Sequence, residues 1–184
     1  MTEVSWVVRE AAPADVEAVD ALIRQLAATQ GYPGAVTAGV EDLSAALFGA
    51  GATTHCFVVT PVGPDGVKGP VLAIALWFVI YSTWEGRHGI WLEDLVVEQS
   101  ARGNGVGQLL MARLAQECLR RGYTRLDWTV LTDNHGGQRF YDRLGARQLA
   151  DARIMRLDGD RLAGLAIQAA GTGRGDGRPL GARE

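Results

Sequence analysis

The chain is poor in the residues that build covalent or metal-centred sites. Only two cysteines, Cys56 and Cys118, and three histidines occur among its 184 residues. Two distant cysteines in apolar surroundings cannot form a disulfide framework or a paired metal-ligand spacing, which suits a reducing compartment. The three histidines are scattered along the chain, so we expect no metal site.

Long apolar runs are also missing. The longest, over residues 71–81, is too short to span a bilayer. The N-terminal segment carries acidic side chains where a secretory signal would carry an apolar stretch. We therefore expect a cytoplasmic protein with no membrane partner.

Positive charge is not in excess. The 18 Lys and Arg residues against 21 Asp and Glu residues give a formal net charge of −3. The broad positive field of a non-specific nucleic-acid binder is therefore absent, and we expect no nucleic-acid partner. One compact basic group is more typical of a solvated helix face than of a binding patch. It comprises Arg113, Arg120, Arg121 and Arg125.

The spacing of apolar residues and glycines predicts an α/β domain on a mixed sheet. Helices are expected between Pro13 and Gly31 and over residues 40–48, 107–121 and 136–144. Strands are expected over residues 4–9, 55–60, 71–82, 89–97, 126–130 and 152–157, the middle ones forming an antiparallel meander. We expect a single domain over residues 1–166 and a Gly-rich, disordered tail over residues 167–184.

A glycine-rich turn is the most informative local feature. Residues 102–107 read Arg-Gly-Asn-Gly-Val-Gly, follow a predicted strand and open a predicted helix. Glycines let backbone N–H groups approach a ligand closely, and such groups at a helix N-terminus suit a pyrophosphate. Gln108 stands where a P-loop needs lysine and where a dinucleotide fingerprint needs glycine. Coenzyme A is the remaining common pyrophosphate carrier, and a tight turn that binds nothing stays open on glycine spacing alone.

Four motifs in chain order carry a family resemblance. They are Tyr81-Ser-Thr-Trp84-Glu-Gly, Trp91-Leu-Glu93-Asp94, Arg102-Gly-Asn-Gly-Val-Gly107 and Asn134-x5-Phe140-Tyr141-x-Arg143-Leu-Gly145-Ala146. With these motifs the chain resembles the GCN5-related N-acetyltransferases, and within them the spermidine/spermine (diamine) N-acetyltransferases. The likeness covers residues 7–166. It implies the GNAT fold, a mixed and mostly antiparallel central sheet flanked by helices, with strands that splay at the acetyl-CoA site. It also implies acetyl transfer to a primary amine of a small molecule by direct attack.

The resemblance further implies where acetyl-CoA, the co-substrate, would bind. The backbone of residues 95–97 would receive the pantetheine arm, and the amides of residues 103–108 would hold the pyrophosphate. The expected cofactor-binding residues are Leu95, Val96, Val97, Arg102, Gly103, Asn104, Gly105, Val106, Gly107, Gln108, Asn134, Tyr141 and Arg143.

The same resemblance assigns the chemistry. Tyr141 would be the general acid that protonates the departing thiolate, and Glu93 the base near the amine, acting directly or through water. Trp84, Glu93 and Asp94 would contact the substrate. Glu93 and Asp94, as strand neighbours, are expected on opposite faces of their strand.

Structural alternatives stay open for each of these residues. Tyr141 would otherwise pack its helix, and Asn134 would serve as a helix N-cap, a use compatible with contacting the cofactor. Glu93 would otherwise pair with a neighbouring arginine, and Asp94 would face solvent.

The likeness to the diamine group breaks at the residues that would meet a long polycation. Ser82 stands where that group has an acid, the loop over residues 31–37 lacks its acids, and Arg153 replaces an aromatic residue. An arginine near the pocket would repel a cation and favour a carboxylate. We expect a smaller amine, an amino acid or lysine analogue, with a diamine as the close rival.

Other assemblies and functions also stay open at this point. A homodimer is expected by resemblance, because many relatives complete the amine site across an interface. A non-catalytic acyl-CoA-binding regulatory module would need the glycine turn but neither Glu93 nor Tyr141. An acetyltransferase acting on protein lysines or N-termini would need an open peptide groove.

Overall fold

The computed structural model describes residues 4–172. These fall into two compact units, one ending at Leu144 and the other beginning at Gly145. The first unit contains the sheet, four helices and all the residues expected to carry the chemistry.

The first unit is built on a five-stranded sheet whose strands lie side by side in chain order. The strands are β1 (Ser5–Glu10), β2 (Thr54–Val62), β3 (Ala73–Ser82), β4 (Arg87–Val97) and β5 (Leu126–Trp128). Strands β1 to β4 pair antiparallel, and β5 joins β4 in parallel. The predicted mixed, mostly antiparallel sheet is confirmed.

Four helices cover the two faces of this sheet. They are α1 (Val16–Thr29), α2 (Val40–Phe48), α3 (Val106–Arg121) and α4 (His135–Arg143). Helices α1 and α2 pack on the face that carries Val58, whereas α3 packs on the face that carries Val59. Both valines are 0% exposed. Because neighbouring residues are buried on opposite faces, the central strands read as continuous apolar runs rather than as alternating patterns.

Strand β5 is shorter than its sequence pattern predicts. The alternation over residues 126–130 indicates five strand residues, but only Leu126–Trp128 pairs with β4. The chain then leaves the sheet, so residues 129–131 are free to line a cavity at the end of the strand.

The second unit differs from expectation. The predicted strand over residues 152–157 is wrong, since these residues are assigned to no strand. Ile154 and Met155 are 64% and 86% exposed, and a strand forms only where its peptide groups find a partner. Helix α5 (Gly159–Thr172) continues past the expected domain end at residue 166. The rest of the predicted tail, residues 173–184, lies outside the described residues.

The basic group of the sequence is organised around one buried carboxylate on α3. Glu117 is 1% exposed and accepts hydrogen bonds from Arg113 at 3.3 Å and from Arg120 Nε at 3.0 Å. Arg121 bonds to the same carboxylate, and Arg125 pairs with β5 instead. The hydrogen bond from Arg120, the hydrogen bond from Arg121 and the charges of both arginines lower the pKa of Glu117 to about 2, against the effect of burial. The arginines stay partly exposed, Arg120 by 63%, so this part of the expected solvated face is organised as an ion-pair network.

No helix within residues 4–172 combines the length and the apolar character needed to cross a bilayer.

The Glu117 network predicts how folding stability depends on pH. The pKa of Glu117 is about 2 when folded, against roughly 4.3 in an unfolded chain. Its contribution, at most about 3 kcal/mol, is complete above the unfolded pKa and is lost as pH falls through the folded one. We expect Glu117→Gln to lower stability near neutral pH and to flatten the loss of stability between about pH 5 and pH 2. Urea unfolding at several pH values measures both effects. Glu41→Gln, at an exposed carboxylate on α2, is the control. An unchanged pH slope in Glu117→Gln would contradict the assignment.

Candidate active site

A β-bulge interrupts the pairing of β3 with β4. Leu76 pairs with Asp94 and Trp77 pairs with Leu92, so Glu93 is an extra residue with no partner on β3. Such an insertion resets the alternation of side chains along the strand that carries it.

Burial on either side of the bulge shows this reset. Leu92 packs with the α3 face of the sheet, whereas Val96, four residues later, packs with the α1 and α2 face. In a regular strand two residues at this spacing share one face. The expectation that Glu93 and Asp94 point to opposite faces is therefore wrong. Asp94 shares the face of Val96, and Glu93 shares the face of Trp91, to which it is hydrogen-bonded. Both residues line the same cavity.

The pairing between strands β4 and β5 ends just before the bulge. Their pairing covers only Ile90 with Leu126, Trp91 with Asp127 and Leu92 with Trp128. Beyond it, within the described residues, the peptide groups of residues 93–97 that face away from β3 have no strand partner. The splayed strands predicted for this fold are present.

A cavity of about 180 Å³ opens where the two strands separate. Its lining residues come from α1, β4, the end of β5 and α4: Leu26, Gln30, Leu92, Glu93, Asp94, Leu95, Trp128, Thr129, Val130, Leu131, Asn134 and Tyr141. A more open depression around residues 61–69, beside the β2–β3 loop, contains none of the predicted site residues.

The two carboxylates in the cavity have different surroundings. Glu93 is exposed, and its Oε2 accepts a hydrogen bond from Trp91 Nε1 at 2.8 Å. Asp94 is half-buried, and burial, together with the neighbouring charge of Glu93, raises the pKa of Asp94 to about 6. Two acids on one wall favour a cationic ligand.

Tyr141, on α4, lines the same cavity as the two carboxylates of β4. Its ring lies 4.8 Å from that of Trp128 and 5.1 Å from that of Phe140, so the tyrosine also packs its helix as the structural alternative supposed. Burial raises the pKa of Tyr141 to about 12, which keeps the hydroxyl protonated at neutral pH. Tyr141 therefore lines the cavity with a hydroxyl that is able to donate a hydrogen bond.

The loop before α4 is held by two side-chain amides. Asn134 caps the helix by accepting from the Gly137 N–H at 2.9 Å, as the sequence predicts. Gln138 donates to the carbonyls of Leu131 at 3.0 Å and Thr132 at 2.9 Å. Gln138 thus ties the cavity-lining loop to the helix that carries Tyr141, a role for which its sequence context gives no signal.

The glycine-rich turn presents an open surface at the start of α3. Gly103 and Gly105 have φ angles of +80° and +76°, and a methyl group at either would meet no atom within 4 Å. The amides of residues 106–108 belong to the first helical turn and so have no acceptor within the helix. This combination of open space and free N–H groups fits a diphosphate.

The polar side chains of the turn fold back onto its own backbone. Arg102 Nε donates to the Val97 carbonyl at 2.9 Å, and Asn104 Nδ2 donates to the carbonyls of Ala101 and Arg102. They therefore fix the shape of the turn without filling the space in front of its amides.

Two predicted site residues lie outside this constellation. Trp84 is 99% exposed at the tip of the β3–β4 hairpin, and Arg143 is exposed at the end of α4. Neither lines the cavity. Ser82, which replaces an acid of the diamine group, is buried, and its Oγ accepts from the Glu85 N–H at 3.2 Å.

Leu26 and Gln30 are lining residues that sequence reasoning missed. They lie near the end of α1, next to a loop that Arg24 anchors through the carbonyls of Val36 and Ala38. An apolar and an amide side chain at a helix end carry no chemical pattern that would have marked them.

Among the described residues no group of three or more His, Cys, Asp and Glu side chains is placed to hold a metal ion.

Comparison with known proteins decides the family. The sequence profile of the Acetyltransferase (GNAT) family matches residues 50–146, more than half of the chain. The chain belongs to the GNAT family. It is an N-acetyltransferase, and the family uses acetyl-CoA as co-substrate.

Similar GNAT enzymes act on small amines. Thialysine N-epsilon-acetyltransferase of Bos taurus is 34% identical over 164 residues, 86% of this chain and 96% of that protein. L-ornithine N5-acetyltransferase of Arabidopsis thaliana is 31% identical over 100 residues, which are 54% of this chain and 44% of that protein. A spermidine/spermine N(1)-acetyltransferase-like protein of Homo sapiens is 25% identical over 144 residues, which are 78% of this chain and 21% of that protein. The predicted likeness to the diamine acetyltransferase group is confirmed.

A solved structure supports the fold independently. An integron cassette protein from the mobile metagenome of V. cholerae superposes with a TM-score of 0.69 at 26% identity, covering 88% of this chain and 98% of that one.

Proposed function

We propose that this N-acetyltransferase acts on the primary amine of a small molecule, an amino acid or lysine analogue, by direct attack on acetyl-CoA. The observation that supports this most strongly is the single cavity in which Glu93, Asp94 and Tyr141 meet beside the unpaired edge of β4. Carboxylates attract and deprotonate an ammonium group, and a protonated phenol donates a proton to the departing thiolate. In this proposal the acid, the base and the cofactor-binding strand edge share one small space.

Acetyl-CoA would supply an activated acetyl group as a thioester. In our proposal the peptide groups of residues 95–97 hold the pantetheine arm, and the amides of residues 103–108 hold the diphosphate. Arg102 and Asn104 maintain the turn, Asn134 fixes the start of α4, and Arg143 reaches the cofactor from the end of that helix.

The positioning of the two substrates is the larger part of the expected rate enhancement. Holding both reactants in line contributes roughly 7–11 kcal/mol, whereas one acid or base contributes about 10²–10⁴-fold. Tyr141 is the proposed general acid. Its pKa of about 12 is high for this task, but the burial that raises it also raises the pKa of a thiolate beside it, so the hydroxyl remains an effective donor.

The size and charge of the cavity support this substrate class. A volume of about 180 Å³ suits a slender aliphatic amine, and the relatives named for thialysine and ornithine point the same way. A diamine is the second candidate. It is less favoured because Ser82, which stands where the diamine group has an acid, is neutral and buried within the hairpin.

We also propose a cytoplasmic homodimer. Trp84 is 99% exposed, and a second copy that covered it would remove its apolar surface from water and bring it to the partner's amine site. Sedimentation velocity at micromolar concentration should give about twice the 19.7 kDa chain mass. A monomer at all concentrations would contradict the dimer and remove Trp84 from the substrate site.

The substrate proposal predicts a ranking of amines. Release of free thiol from acetyl-CoA should be fastest with lysine analogues and ornithine, slower with diamines and spermidine, and negligible with aminoglycosides and peptides. Faster turnover of a peptide than of every amino acid would favour a protein acetyltransferase. Tight acetyl-CoA binding without thiol release from any acceptor would favour the regulatory module.

The acid role of Tyr141 predicts a defect confined to turnover. Tyr141→Phe should lower kcat by about 100-fold, because it removes only the donated proton. The Kd for acetyl-CoA, measured by calorimetry, should barely move. Tyr123→Phe is the matched control, since Tyr123 is also half-buried but lies outside the cavity. Unchanged kcat in Tyr141→Phe would remove Tyr141 from the mechanism.

A further inference from the structure

The bulge in β4 brings two carboxylates to one cavity, whereas a regular strand would bring only one. Without the extra residue, only one of Glu93 and Asp94 would face the cavity. With it, both do. Their surroundings then decide which one takes the proton and which one attracts the substrate.

We propose that Asp94, rather than Glu93, is the base that deprotonates the amine, and that Glu93 holds the incoming ammonium group. This inference rests on the proposed function and divides its base role differently between the two residues.

Hydrogen bonding separates the two carboxylates. Glu93 already has one oxygen engaged by Trp91 Nε1 at 2.8 Å, and its side chain is exposed. A carboxylate that already has a hydrogen-bond donor and remains in contact with water is suited to hold a cation by its charge. Within the described part of the chain, Asp94 accepts no hydrogen bond from a side chain or backbone group and is half-buried. Its lone pairs are therefore available to a proton of the substrate.

The groups that face Asp94 keep it a base at neutral pH. Burial, and after it the like charge of Glu93 on the same strand, raises the pKa of Asp94 to about 6. Across the sheet, burial raises the pKa of the Cys56 thiol to about 12, so the thiol stays neutral. Tyr141 on α4 is also neutral, and α1 contributes only Leu26 and Gln30 to this cavity. Asp94 is thus mostly ionised near pH 7, yet more basic than an ordinary aspartate, as general-base catalysis requires.

The proton inventory of the proposed step balances. The ammonium group gives one proton to Asp94, and the freed lone pair forms the C–N bond to the acetyl carbon as the C–S bond breaks. Tyr141 protonates the departing sulfur and regains a proton, through solvent, from the second N–H of the nitrogen. Asp94 then releases its proton to solvent. One proton is released overall for each ammonium acetylated.

The two single variants should fail in different ways. Asp94→Asn should lower kcat by about 10²–10⁴-fold. It should also abolish the fall of kcat/KM below pH 6, because kcat/KM reports the titration of groups in the free enzyme. Glu93→Gln should mainly raise the KM for the amine, with kcat falling less than tenfold. Asp65→Asn, in the β2–β3 loop, is the control and should leave both parameters unchanged. The reverse pattern, with kcat lost in Glu93→Gln and retained in Asp94→Asn, would overturn the proposal.

A titration of the free protein tests the same claim without turnover. Carbon-13 NMR of the Asp94 carboxyl should show a pKa of about 6 in the wild type. In Glu93→Gln this pKa should fall, because removing a like charge favours the ionised form. An Asp94 carboxyl that titrates at the ordinary value near 4 in both proteins would contradict the proposal.

The outcomes also separate this inference from the proposed function. If the wild type releases no thiol with any small amine, the proposed function fails. If the wild type is active and Asp94→Asn is equally active, only the assignment of the base fails.

Discussion

Strand β4 carries one residue more than β3 can pair, and this mismatch shapes the whole site. It turns Glu93 and Asp94 toward one cavity while keeping Leu92 and Val96 buried on opposite faces of the sheet. The β5 partner is lost at nearly the same point, so a cavity opens beside the bulge. A bulge within a sheet that is buried on both sides can re-aim polar side chains without breaking the apolar core.

The two ends of the proposed cofactor site depend on the same strand. β4 presents unpaired peptide groups to the cavity and, nine residues after its end, leads into α3. The side chain of Arg102 bonds back to the last residue of β4, Val97, so the turn and the strand end are held together. A ligand that spans both would be positioned by backbone groups, which move little. That fits a mechanism in which positioning outweighs acid–base chemistry.

Much of the fold follows from local patterns. Helix α2 (Val40–Phe48) was predicted to the residue, because its apolar spacing is regular and glycines flank it. The candidate site was predicted through motifs: Glu93, Asp94, Asn134 and Tyr141 do line one cavity. These motifs lie far apart in the sequence, so only the family resemblance predicted that they would come together.

Other features depend on contacts that local sequence does not encode. The β-bulge arises from the register between two strands, so the pattern around Glu93 predicted ordinary alternation and gave the wrong faces. The apolar residues over 152–157 look like a strand, but a strand also needs a neighbour to pair with. In the sequence Glu117 is one charged residue beside several arginines, and only the packing of α3 shows that it is buried.

Backbone NMR of the protein titrated with coenzyme A tests the central claim most directly. If β4 and the glycine turn form the site, the largest amide shifts should fall on residues 95–97 and 103–108. The amides around residues 61–69, beside the open depression of the β2–β3 loop, should stay unchanged. Shifts confined to that loop, or no shifts at saturating coenzyme A, would contradict the account.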